Sequence, residues 1–262
     1  MDNDARTRHL IASNIRVAFL AVGLYEYIIT LPAEYRFYRA QFLSRRISRH
    51  CALFVLIRYV SILVVIVNTV GFFGSFSPAS CHRLFLVAPI VKVFQSICSQ
   101  LILADRTYAI SQKTRWVGLL LGFLLVTSTA SEFFTSVYKR QAVQAFDNNC
   151  TSGNSASSLI AWYFYVITMI FDVTTIGIST MYLWKYFQEA RTMSCFARRL
   201  LYEGIGYIAL LSAANIVNII LFHNPSLLIQ SSAASVGYIL TWITSQRILI
   251  NQRGELSRLL NT

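Results

Sequence analysis

The chain reads as seven continuously apolar stretches joined by short polar connections, at about 14–37, 51–76, 83–110, 116–137, 159–187, 200–222 and 228–250. Each is long enough to cross a hydrocarbon core about 30 Å thick as a helix rising about 1.5 Å per residue. Helices are predicted rather than strands because none of the stretches alternates apolar and polar residues as an outer-membrane barrel does. The seventh is interrupted by Gln230, Ser231, Ser232 and Ser235. The first carries Glu26 and Pro32, and it is too long for a signal peptide and lacks a small-x-small cleavage site. The predicted fold class is all-α, a seven-transmembrane-helix bundle forming a single membrane domain over 1–262. An outer loop is expected at 138–158 and a cytoplasmic tail at 251–262.

Composition agrees with this pattern. Apolar residues make up 55% of the 262 residues and charged residues 13%, against about 25% charged in an average domain. Such hydrophobicity excludes a disordered chain, and so little charge cannot cover a soluble surface.

Charge then orients the bundle. Counted over alternate connections, one side holds fifteen Lys and Arg and the other six. The richer side includes Arg36, Arg39, Arg45, Arg46, Arg49, Arg106, Lys113, Arg115, Lys185, Arg191, Arg198, Arg199 and Arg247. Basic loops stay in the cytoplasm, so the N-terminus is expected outside and the C-terminus inside. The net charge of +12 would suggest nucleic acid in a soluble protein. Here no basic run is interleaved with stacking aromatics, and no nucleic-acid partner is expected.

Of the five cysteines, Cys81 and Cys150 are the two that fall on the outer side. In an oxidising compartment they are expected to bridge, pinning the outer loop over the bundle. Asn149-Cys150-Thr151 is also a glycosylation sequon. A bridged cysteine inside it would restrict access to Asn149. Gly118 and Gly122 form a GxxxG in the fourth helix, readable as a close helix contact within the bundle or in a dimer.

Ionisable residues inside a membrane are costly and face the interior or a cavity. Four stand out: Glu26, Arg58, Lys92 and Asp172. At about 1.5 Å per residue, Glu26, Arg58 and Asp172 fall in one layer slightly below mid-membrane. Arg58 is therefore expected within hydrogen-bonding reach of Glu26 or Asp172. Gln95, Ser96 and Ser99 share the Lys92 face, at offsets of three, four and seven. Such a layer is a structural ion-pair network, a polar ligand site or an ion path. At the inner end of the third helix, Asp105-Arg106-Thr107-Tyr108 can form a switchable lock, with Arg106 held by Asp105 or by Glu203 on the sixth helix.

Several chemistries are excluded. The last helix has no lysine for a retinal Schiff base, and no helix interior holds a histidine for a metal hydrolase or a Ser-His-Asp triad. No phosphate-cradling glycine loop exists. No enzymatic activity, metal or cofactor is expected.

Tyr25-Glu26-Tyr27-Ile28-Ile29-Thr30-Leu31-Pro32-Ala33-Glu34 resembles the first helix of a basidiomycete fungal family of integral membrane proteins known as a domain of unknown function. That helix typically reads Tyr-acid-x-x-x-Thr-Leu-x-x-Glu before a basic loop. The likeness continues in Ile57-Arg58-Tyr59, where the usual Asn is replaced, in Cys81, and in Arg106-Thr107-Tyr108-Ala109. It implies seven helices and a fungal membrane, with no established activity. The Asp105–Tyr108 stretch also resembles the Asp-Arg-Tyr signature of rhodopsin-like G-protein-coupled receptors, with Thr107 inserted. The chain departs from that family in its last two helices, which lack Asn-Pro-x-x-Tyr and the helix-six proline.

These features together predict a receptor-like or sensory multi-pass protein of the plasma membrane or an endomembrane. Its expected partners are the lipid bilayer, a cytoplasmic signalling protein and a small-molecule ligand, with the oligomeric state open. A small transporter or ion path, and a non-catalytic membrane scaffold, are the alternatives.

Overall fold

The computed structural model describes residues 2–44, 48–144, 148–154, 161–190, 195–222 and 227–259. The helices are α1 (Asp2–Ser44), α2 (Arg49–Phe73), α3 (Pro78–Leu84), α4 (Val87–Ile110), α5 (Arg115–Val137), α6 (Ala161–Ala190), α7 (Cys195–Phe222) and α8 (Leu227–Leu259). Two short strands, β1 (Arg140–Val143) and β2 (Thr151–Asn154), lie between α5 and α6.

Five of the helical spans are long and apolar enough to cross a membrane: Leu10–Arg39, Arg49–Phe73, Pro78–Ile110, Arg115–Val137 and Trp162–Tyr186. The protein is a multi-pass, membrane-embedded helical protein whose spans face lipid. The burial pattern is inverted relative to a soluble bundle. On α5, Leu119, Leu120, Phe123 and Val126 are exposed, while Ser128, Glu132, Thr135 and Ser136 are buried. Lipid solvates apolar side chains, so polar ones must find partners inside.

α7 and α8 fall outside those five. In α7 the apolar stretch is Gly204–Ile220. α8 packs against α1, α2, α4 and α7 and buries Ser235, Thr244, Ser245 and Gln246 at its contacts. Part of its polarity therefore sits on a face turned inward.

Several element bounds differ from the sequence expectation. α1 extends in both directions beyond 14–37, to Asp2 and Ser44. The third span begins at Pro78, with Ser77 as its cap, and turns at Phe85–Leu86 into α4. A proline at the first helical position sacrifices no intrahelical bond, so the helix starts five residues before the expected 83. The segment from 251 expected as a tail continues α8 to Leu259. Part of the outer loop, expected without regular structure, forms an antiparallel hairpin pairing Arg140 with Asn154 and Val143 with Thr151.

The apolar core is compact and lies toward the α1–α2 turn. Phe37 and Phe54 stack with centroids 4.6 Å apart, and Ile57, Ile102, Phe171 and Leu249 complete that cluster. Ser48 caps α2 by accepting from the Cys51 amide. Gln41 at the end of α1 holds both the amide and the hydroxyl of Ser48.

Candidate functional site

Charged and polar side chains gather in three places: a clasp between α1, α2 and α8, a polar centre around α4, and a cleft where α2 begins and α4 ends.

The clasp is built on Arg58, whose side chain is fully buried. Its Nε lies 3.1 Å from Glu34 Oε2. The two terminal nitrogens donate to Thr30 Oγ1 at 2.8 Å and to the Tyr27 carbonyl at 3.1 Å. The guanidinium also sits over the Tyr27 ring, 4.2 Å from its centroid. Glu34 further accepts from the hydroxyls of Tyr38 and Tyr59. Glu26 is 3% exposed and takes a bidentate pair from Arg247, with Nε–Oε1 at 2.7 Å and the second contact at 2.8 Å.

This corrects the expected pairing. Arg58 binds Glu34 rather than Glu26 or Asp172, and Glu26 binds Arg247. The cause is helix length. Because α1 continues past 37, Glu34 lies within the membrane-level span beside Arg58. Arg247, counted with the basic cytoplasmic end although it fell three residues inside the expected 228–250 helix, lies well within α8, which runs on to Leu259. Glu34, two helical turns after Glu26, and Arg247 were both visible in the sequence, but the expected helix ends placed them at an interface.

The polar centre runs along one face of α4. Lys92 donates to Tyr165 Oη at 2.6 Å and lies over the rings of Phe164 and Tyr165. Gln95 donates to Ser61 Oγ and to the Tyr238 carbonyl, both at 2.8 Å. Ser99 and Ser245 share a hydrogen bond of 2.8 Å. Gln100 donates to Glu132, which also accepts from Thr168 at 3.2 Å. Two turns further, Thr107 meets Ser179 and the Thr175 carbonyl.

Asp172 is 4% exposed. It lines a void of about 30 Å³ together with Lys92, Ser96, Thr168 and Tyr238. Its carboxylate has no hydrogen-bond or ion-pair partner among the described residues. The space suits a water or a small ion. Glu132 was not anticipated. It stands five residues from the end of its helix, about 7.5 Å along the axis, where an acid reads as an interface residue, yet it is completely buried.

The hairpin covers one end of this centre. Cys81 and Cys150 are disulfide-bonded with Cα atoms 5.3 Å apart. The Cys150 amide donates to the Gly71 carbonyl at 2.9 Å, and Phe76 donates to Asn148 at 2.8 Å. A Cβ at residue 71 would stand 3.0 Å from the Cys150 carbonyl oxygen, so glycine allows this approach. Asn149 is 2% exposed, turned away from any modifying enzyme in the folded protein. Burial holds the Arg140 guanidinium below the usual arginine range. Its charge is felt by both Tyr165 and Lys92.

At the opposite end, Asp105 Oδ2 lies 3.9 Å from His50 Nδ1. Arg106 is 9% exposed and packs on Gly204 of α7, where a Cβ would meet its terminal nitrogen at 3.0 Å. The side chain of Glu203 lies outside the described residues. Tyr108 packs on Gly118, where a Cβ would stand 2.9 Å from the ring, whereas nothing lies within 4 Å of one at Gly122. The GxxxG thus makes one close contact inside the bundle, to a side chain, and its second glycine is open.

The model of a family of unknown function (DUF6533) matches residues 15–63. That stretch contains Glu26, Tyr27, Thr30, Glu34 and Arg58, the α1 and α2 parts of the clasp. No curated protein matches the chain.

Proposed function

We propose that the chain is a receptor-like or sensory membrane protein without catalytic activity. In this reading α7 and α8 are the sixth and seventh spans, the N-terminus is outside and the C-terminus is cytoplasmic. The observation that carries it is the polar face of α4. From Lys92 to Thr107, this one helix is hydrogen-bonded to α2, α5, α6 and α8. A rod tied to these four helices can transmit a change under the disulfide-pinned hairpin to Asp105 and Arg106 at the other end. The void beside Asp172 admits no organic molecule in this state, so a small-molecule ligand requires the helices to part. The basic residues of the α1–α2 and α4–α5 connections support the orientation.

One observation favours a second reading. The Asp172 carboxylate is buried without a hydrogen-bond or ion-pair partner among the described residues, and such a group within a membrane is a recurrent feature of ion and proton paths. Reconstitution separates the two. A fluorophore on a Gln112→Cys variant should change its emission when Asp172 is replaced by Asn, in vesicles that pass no proton, sodium, potassium or chloride. Ion flux above that of protein-free vesicles, abolished by Asp172→Asn, would overturn the receptor reading in favour of transport.

A further inference from the structure

We propose that the cleft between the start of α2 and the end of α4 binds the phosphorylated polyol headgroup of an anionic lipid. The cleft is open, about 510 Å³ in volume, and lined by Arg49, His50, Asp105, Tyr108, Ala109 and Lys113. Three of these six side chains carry basic nitrogens and one is acidic. Asp105 lies nearest His50, at 3.9 Å. Neither Arg49 nor Lys113 has an ion-pair partner among the described residues. Two cations thus line the cleft without an ion-pair partner among the described residues, and its one carboxylate, Asp105, lies nearest His50.

Their height identifies the source of the anion. Arg49 opens one membrane span and Ile110 closes another, so the cleft sits where hydrocarbon gives way to headgroups. Lys113 is brought back over it by a tight turn, in which the Lys113 amide donates to the Tyr108 carbonyl at 3.0 Å. Basic pockets between helices at this level suit phosphorylated headgroups, and each basic group near an anionic surface contributes about a fivefold gain in binding. The height argument holds for whichever leaflet this end of the bundle faces.

Asp105 selects the chemistry further. A carboxylate in a purely phosphate-binding pocket would only repel. A headgroup that also bears free hydroxyls can donate to Asp105 while its phosphates meet Arg49 and Lys113. Phosphatidylserine offers no such hydroxyls. Phosphorylated inositol lipids offer both groups.

The test uses the full chain in nanodiscs of phosphatidylcholine with a fluorescent phosphatidylinositol bisphosphate. Saturable binding is expected, with at least tenfold preference over phosphatidylserine at equal lipid charge. Arg49→Gln with Lys113→Gln should weaken binding at least tenfold, while Arg83→Gln, on a residue remote from the cleft, should leave it unchanged. Both Arg49 and Lys113 are exposed, so their loss leaves the fold intact, checked by an unchanged melting temperature. Asp105→Asn should weaken phosphoinositide binding severalfold. Tighter binding on that change, or equal binding of phosphatidylserine, would reduce the cleft to general charge attraction and overturn the proposal. Soluble inositol trisphosphate should compete at least a hundredfold less well than the lipid. Equal competition would make a free polyol phosphate the ligand and overturn the lipid assignment.

Discussion

Arg58 and Glu34 form a membrane-buried ion pair, 3.1 Å between Nε and Oε2, that closes α1 against α2. The pair is completed by Thr30, the Tyr27 carbonyl and two tyrosine hydroxyls. These partners are what make the arrangement tolerable, since the cost of removing two charges from water otherwise exceeds their attraction.

Breaking that pair from one side should therefore be worse than removing it. Arg58→Met alone leaves Glu34 buried among tyrosines, and a loss of about 3–5 kcal/mol is expected. The double change Arg58→Met with Glu34→Leu should recover most of it. Thermal unfolding in detergent, followed by circular dichroism, measures both. Equal losses for the single and double variants would mean that the pair does not close the α1–α2 contact.

Glu26 and Arg247 predict an asymmetry. Arg247 is 47% exposed at its side chain and Glu26 only 4%. Glu26→Gln frees an arginine that can reach water or a headgroup, and should cost no more than about 1 kcal/mol. Arg247→Gln strands a buried carboxylate and should cost about 2–3 kcal/mol. The two melting shifts, compared in the same detergent, decide it.

How far these pairs were readable in the sequence depended on helix ends. The apolar stretches placed most elements, and of the ionisable groups singled out inside them Glu26, Arg58 and Asp172 are buried and Lys92 half-buried. Their partners were not legible. Proximity across a bundle depends on rotation and height, and an error of a few residues at a helix end moves a charge from the interior to an interface. Glu34 and Arg247 were lost that way, and Glu132 because it lies one and a half turns from a helix end. The bridge between Cys81 and Cys150 needed no such precision, because only side of the membrane entered the inference. Hydropathy alone also understated α8, which buries Ser235, Thr244, Ser245 and Gln246 at its contacts.

The disulfide should govern the hairpin. It spans 69 residues of sequence, and closing a loop of that length stabilises by up to about 4 kcal/mol on the chain-entropy view. Reduction, or Cys81→Ser, should release the hairpin and free the backbone at the already exposed Lys139 and at Arg140 to enter the trypsin active site. Digestion at these sites should be slow in the oxidised protein and rapid in the reduced one. Unchanged cleavage rates would show that the backbone bonds to Gly71 and Phe76 hold the hairpin unaided.

Asn149 should carry no glycan in the native protein, because its side chain is covered beside the bridged Cys150. The Cys150→Ser variant keeps an Asn-Ser-Thr sequon and loses the bridge, so it should become modified on expression in a eukaryotic host. A glycosidase-sensitive gel shift in the variant alone is the expected result. The same shift in the native protein would mean that the modification precedes folding of the hairpin.

Lys92 separates stability from function. Among the described residues its ammonium has one hydrogen-bond partner, the Tyr165 hydroxyl, and it otherwise lies over two aromatic rings. Arg140 adds a like charge nearby, so Lys92 is a poor choice for stability alone. Lys92→Met keeps the length of the side chain, its packing on both rings and a favourable sulfur–aromatic contact, and removes a charge from a low-dielectric site. It should melt at or above the native temperature, whereas Lys92→Ala, which leaves a cavity, should cost about 2–5 kcal/mol. If Lys92→Met is instead as destabilising as Lys92→Ala, the ammonium itself holds α4 to α6, and the centre is structural. If Lys92→Met folds well but abolishes the fluorescence response at residue 112 to changes at Asp172, the charge is kept for communication along α4.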